Sequence, residues 1–181
     1  MQKFIFILLL ILSTYTTADD VVYVGDSIAA MMKLNNPHSN VVKYRDKNDE
    51  TAVGGKNPKW IYERLRKTIN RYPTYLQDRI VVLSSGYSND PDGTYLDYHE
   101  RIIRLLLSAG VQDIRILGMA SNYYMSNKWG SHYYKPERYQ FLKNLARKYN
   151  LYIYPEYHAS DKVHMTLKDI KRTEFGLLKL Q

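Results

Sequence analysis

The chain has 181 residues, no cysteine and a formal net charge of +8. Its length suits one domain with a single core, and the missing thiols exclude disulfides and thiolate metal sites. The basic balance favours anionic surroundings such as acidic glycans, cell-wall polymers or lipid headgroups. No run of five or more Lys/Arg is present, so the charge reads mostly as solvated helix faces and no nucleic-acid partner is expected.

Met1-Gln2-Lys3 is followed by an apolar run from Phe4 to Leu12 and by small residues at Thr16 and Ala18. This pattern reads as a signal peptide over residues 1–18, cleaved after Ala18. A bilayer span needs about 20 apolar residues, so no stable membrane anchor is expected. The reading is of an exported or secreted single domain over 19–181, and of a monomer.

Val21-Val22-Tyr23-Val24 has the composition of a buried strand and stops at Gly25-Asp26-Ser27, with a short helix expected over Ile28 to Leu34. Val41 to Tyr44 is a second strand candidate, and Gly54-Gly55 follows it. Asn57-Pro58 pairs a cap with a first-turn proline and opens a helix to about Tyr72, with Ile61, Leu65, Ile69 and Tyr72 on its apolar face. Ile80 to Leu83 is a third strand. Thr94 to Asp97 resembles a capping box for a helix whose core face is Ile102, Ile103, Leu106 and Ala109, with Gly110 as its stop and His99 on an exposed side.

Ile114 to Gly118 is a fourth strand, and an aromatic loop runs from Ser121 to Lys135. Pro136 starts a helix carrying Leu142, Leu145, Ala146 and Tyr149 on one side. Leu151 to Tyr154 is a fifth strand, and a last helix is expected from near Thr166 to about Leu178. Strand and helix alternate with no hairpin signal between consecutive strands. The expected fold is therefore α/β, a three-layer α/β/α sandwich around a five-stranded parallel sheet. Such sheets bind ligands at the carboxyl ends of their strands.

Four blocks lie at or beyond those ends: Gly25-Asp26-Ser27, Gly54-Gly55, Gly86-Tyr87-Ser88-Asn89-Asp90 and Asp161-Lys162-Val163-His164. Singly, each is a common turn or cap sequence. Jointly they supply the parts of nucleophilic acyl transfer. Ser27 is the candidate nucleophile, His164 the base that takes its proton, and Asp161 the acceptor that orients the imidazole. Backbone N–H groups of Ser27 and Gly55 (Gly54 being the other candidate) and the Asn89 amide are candidate donors to the developing oxyanion. Each such donor contributes about 2.7–4 kcal/mol in a transition state.

At these blocks the chain resembles the SGNH hydrolases, the GDSL-like esterase and lipase superfamily. Ile28 stands where leucine is common, and two residues rather than one separate Gly86 from Asn89. The resemblance runs over essentially all of 19–181. It implies a flavodoxin-like SGNH hydrolase fold, an ester hydrolase with no metal or organic cofactor, and broad ester specificity. Eighteen tyrosines are present, four of them crowded with Trp129 between Asn122 and Tyr134. If that loop lines the crevice, a glycan ester is the expected substrate, with Tyr87, Lys56, Trp129 and Tyr133 as candidate contacts. O-acyl transfer, a lysophospholipase or thioesterase activity, and a non-catalytic glycan-binding module are the alternatives.

Overall fold

The computed structural model describes residues 21–35, 51–84, 90, 92–122, 124–127, 130–133, 135–157, 159, 164 and 168–172. Four short strands form a parallel sheet: β1 (Val21–Val24), β2 (Ile80–Leu83), β3 (Asp113–Ile116) and, at the edge, a two-residue strand, Tyr152–Ile153. Their register is Val21 to Ile80, Ile80 to Asp113 and Arg115 to Tyr152. The expected strand Val41–Tyr44 lies outside the described residues. The segment just after it, however, runs along the free edge of β1. The Gly25 N–H donates to Thr51 O at 2.9 Å and the Val53 N–H donates to Gly25 O at 3.1 Å, a parallel bridge between Gly25 and Ala52.

Side chains alternate along the strands, so each face of the sheet builds its own core. Val21, Tyr23, Ile80 and Val82 pack under the first helix, α1 (Ser27–Asn35), through Ala29 and Met32, and under Ile170 of the helical residues 168–172. Val22, Val24, Val81, Leu83, Ile114 and Ile116 pack on the opposite face. That face is covered by α2 (Pro58–Arg71), α3 (Leu96–Ser108) and α4 (Pro136–Lys148), through Ile61 and Leu65, Ile102, Ile103 and Leu106, and Leu145 and Ala146. The three-layer α/β/α arrangement follows from this division.

The start of α2 is as the sequence predicts: Asn57 caps it by accepting from the Trp60 N–H at 2.9 Å, and Pro58 fills its first turn. Three expectations change. The aromatic stretch after β3 contains an antiparallel hairpin, β4 (Tyr124–Asn127) and β5 (Gly130–Tyr133), with two residues between its strands. Its tyrosines carry strand propensity, and the short Asn127-to-Gly130 span is itself a hairpin signal. With β4 and β5 counted, the edge strand of the parallel sheet is β6. The capping box at Thr94 does not form; Tyr95 is the N-cap, without a side-chain cap bond. His99 is buried, because it sits one turn before Ile102 and Ile103 on the core face of α3.

Candidate active site

Gly25 turns the chain at the end of β1 with φ +148°, a conformation open to glycine. It also packs where no side chain fits, since a Cβ there would lie 2.2 Å from the carbonyl oxygen of Ser84 at the end of β2. Asp26 follows, almost fully buried. Its Oδ1 accepts from the Ile28 N–H at 3.1 Å and from the Ser84 hydroxyl at 2.6 Å, while its carbonyl accepts from Ala30 N–H at 3.0 Å. Asp26 is thus the cap of α1 and ties that helix to β2. Ser27, the first residue of α1, is half-buried and stands at the carboxyl end of the sheet.

His164 reaches this serine from the other end of the chain. Its Nε2 lies 3.0 Å from Ser27 Oγ, across 137 residues of sequence. The path that brings it there runs beside the segment after β3. Tyr157 N–H donates to Met119 O and Ser121 N–H to Tyr157 O. The side-chain amide of Asn122 then pairs with Ala159 in both directions, donating to its carbonyl at 2.6 Å and accepting from its N–H at 2.8 Å. Asn122 acts here as a piece of strand backbone. Sequence reasoning placed it only in the aromatic loop, and nothing in its local context marks it as a positioning residue.

The second block also converges on Ser27. A Cβ on Gly54 would lie 3.7 Å from the Ser27 Cβ, whereas one on Gly55 would meet nothing within 4 Å. Gly54 is therefore the glycine packed against the serine, and Gly55 supplies the turn at φ +70°. Directly after Gly55, the half-buried Lys56 places its ammonium 5.1 Å from the centre of the Trp60 ring. Of the other site candidates, Asn89, Tyr87, Trp129 and Asp161 lie outside the described residues, and Tyr133 is placed by its backbone at the end of β5.

The third block is represented by Asp90, which is buried behind the start of α3. Its carboxylate accepts from the Tyr95 N–H at 3.3 and 3.2 Å, which explains why α3 needs no cap from Thr94. The guanidinium of Arg138, buried on α4, donates to the Asp90 carbonyl. Burial raises the Asp90 carboxyl above the usual carboxylate range, opposed by the Tyr95 N–H and by Arg138. His99 completes this cluster, edge-on to Phe141 with ring centres 6.0 Å apart. Its Nδ1 has no hydrogen-bond partner among the described residues, and burial, with the nearby Arg138 charge, pushes it down to about 4. Asp90, Arg138 and His99 thus form one buried polar cluster at the start of α3. No group of three or more metal-ligating side chains occurs among the described residues.

No family model matches the sequence, and a comparison with curated proteins found no match. Solved structures do match the fold. One, from Bacteroides thetaiotaomicron, is described as a GDSL-like lipase; it shares 17% identity over 91% of this chain and 90% of its own, with a TM-score of 0.56. Another, from Bacteroides fragilis, is assigned as an acylhydrolase; it shares 15% identity over 87% of each chain, with a TM-score of 0.54. At these identities the likeness is one of fold. The α/β/α architecture expected from the alternation of strands and helices is therefore the architecture of the chain, and it is shared with these two structures.

Proposed function

We propose that the protein is an exported serine ester hydrolase acting on a glycan ester, most simply an acetyl ester. The observation that carries this reading is the 3.0 Å contact between His164 Nε2 and Ser27 Oγ at the carboxyl end of a parallel sheet, in a fold shared with a GDSL-like lipase. A serine hydroxyl is a weak nucleophile until a base accepts its proton. In the proposed cycle, Ser27 Oγ attacks the ester carbonyl carbon while its proton passes to His164 Nε2. The tetrahedral oxyanion is held by the backbone N–H groups of Ser27 and of the Gly54-Gly55 turn, and by the Asn89 amide.

Collapse of that intermediate breaks the bond to the sugar oxygen, which leaves with the proton from His164. Water then attacks the acyl-enzyme, again giving its proton to His164, and the acid leaves as Ser27 recovers its hydroxyl proton. Asp161 orients the imidazole throughout. Replacing water by a sugar hydroxyl would turn the same acyl-enzyme into an acyltransferase intermediate.

The test is acetate release from p-nitrophenyl acetate and from an acetylated oligosaccharide, by the protein and by its Ser27→Ala variant. The variant is expected to lose at least 10³-fold in turnover, by analogy with other serine triads, with its fold intact by circular dichroism. Retained turnover in Ser27→Ala overturns the reading.

A further inference from the structure

The cations of α2 and α3 are partnered differently. On α3 both arginines are paired, Arg101 with Asp97 at 2.8 Å and Arg104 with Glu100 at 3.0 Å, and Glu100 also holds Lys148 of α4 at 2.9 Å. On α2, Lys59, Arg64, Arg66, Lys67 and Arg71 face a single acid, Glu63, within that helix. Among the described residues no ion pair involves Lys56, Lys59, Arg64, Arg66 or Lys67, although Glu63 lies one turn from Lys59, Arg66 and Lys67.

These free cations are also ordered by an aromatic ring. Lys56 Nζ and Arg64 Cζ lie 5.1 and 4.9 Å from the centre of the Trp60 ring, within cation–π range. Trp60, Arg64, Lys67 and Arg71 follow the i, i+4, i+7, i+11 rule and make one stripe along α2. The helix turns its other flank to α3, where Tyr62 stacks edge-on against Tyr98 at 5.5 Å. The stripe begins at Trp60, six residues after Gly54, the glycine packed against Ser27, and extends for about 16 Å at 1.5 Å per residue.

A cation held on a ring and not engaged by a carboxylate needs no partner displaced, and little ordering, before it binds an anion. We propose that the Lys56–Trp60–Arg64 cluster and the stripe beyond it bind an acidic polysaccharide and present its ester to Ser27. An extended polyanion fits a linear row of cations better than a single charged group does. A carboxylated sugar chain supplies both that charge spacing and the hydroxyl esters on which Ser27 acts. The substrate assignment rests on the esterase reading above; the binding assignment does not.

Binding is therefore measured on the inactive Ser27→Ala full chain, by retention on immobilised polygalacturonate with dextran as the neutral control. Adding Arg64→Gln with Lys67→Gln is expected to lower affinity for polygalacturonate about five- to tenfold. The loss should shrink as salt rises, and Arg64→Lys with Lys67→Arg should restore retention. Arg101→Gln with Arg104→Gln removes the same two charges from α3 and should change affinity by less than about twofold. Equal losses from the two pairs, or no retention on polygalacturonate, overturn the proposal. Stronger retention on single-stranded DNA or on phosphatidylglycerol vesicles reassigns the stripe and overturns it as well. In the active protein, acetylated polygalacturonate should show a lower KM than acetylated dextran; equal KM values overturn the substrate assignment even where binding holds.

Discussion

Two buried carboxylates, one in the first sequence block and one in the third, are built differently. Asp26, under Ser27, is enclosed by short-range partners, the Ile28 N–H and the Ser84 hydroxyl. Asp90, at the end of the third block, is held at the start of α3 by the Tyr95 N–H, with Arg138 on its carbonyl and His99 nearby. The first arrangement rests on short hydrogen bonds to one carboxylate oxygen. The second balances a raised carboxyl, a buried guanidinium and a neutral imidazole. Leaving a buried polar group without a partner costs stability; Asp26 is held by hydrogen bonds, whereas around Asp90 and His99 charge and burial also enter. The side bearing the serine should therefore be sensitive to shape and the side bearing the third block to pH.

The largest effect that would break this contrast is expected at Gly25. Gly25→Ala drives a Cβ to 2.2 Å from Ser84 O at φ +148° and should cost about 4 kcal/mol, from overpacking and backbone strain together. Urea unfolding measures it, and a loss under about 1 kcal/mol would mean that the turn is not shape-limited. Next comes acid. Folded His99 titrates at about 4, below the ordinary 6.5, so the unfolded chain takes up the proton first as pH falls. Its contribution to stability is complete above 6.5 and is lost between 6.5 and 4, by roughly 3 kcal/mol.

Asp90 works in the opposite direction, because its raised carboxyl takes up a proton more readily in the folded state, which offsets part of that loss at the acid end. Unfolding at pH 7 and pH 4.5, for the protein and for His99→Leu, isolates the histidine. An unchanged pH slope in the variant would contradict the charge-balanced picture. The smallest effect is expected from Ser84→Ala, which removes one donor from Asp26 and should cost about 1–3 kcal/mol with a pH dependence like that of the parent. A changed acid limb in this variant would show that the two carboxylates are not separate devices.

Much of this was legible in the sequence, where local chemistry and tertiary environment agree. The β1, β2 and β3 strands carry apolar runs that need burial on both faces, and Asn57-Pro58 is a complete helix start by itself. The Gly25-Asp26-Ser27 block announced a tight turn and a cap, and both are present. What escaped depends on distant partners. His99 looked like a surface residue because its neighbours in sequence, Tyr98 and Glu100, are polar at one end; its burial comes from lying in phase with Ile102 and Leu106 and beside Arg138, 39 positions away. Thr94 has the right residue type for a cap, but the Asp90 carboxylate already occupies that helix start. Asn122 does its work through Ala159, a pairing that only the folded chain defines. For Ser27 and His164 the sequence suggested a meeting, and the fold brings their side chains together.

The bridge between Gly25 and the 51–53 segment separates two things that a protein of this kind can alter. Ser27 and Gly54 hang from the same residue, Gly25, one through the chain and one through the main-chain bonds to Thr51 and Val53. Neither bond uses a side chain, so their spacing is insulated from substitution farther along. Lys56, just before α2, and Trp60, Arg64 and Lys67 on it lie beyond that anchor, on a surface that can be rewritten one residue at a time. Under the binding proposed for that surface, recognition is free to drift across generations while the Ser27–Gly54 geometry stays where the backbone fixes it.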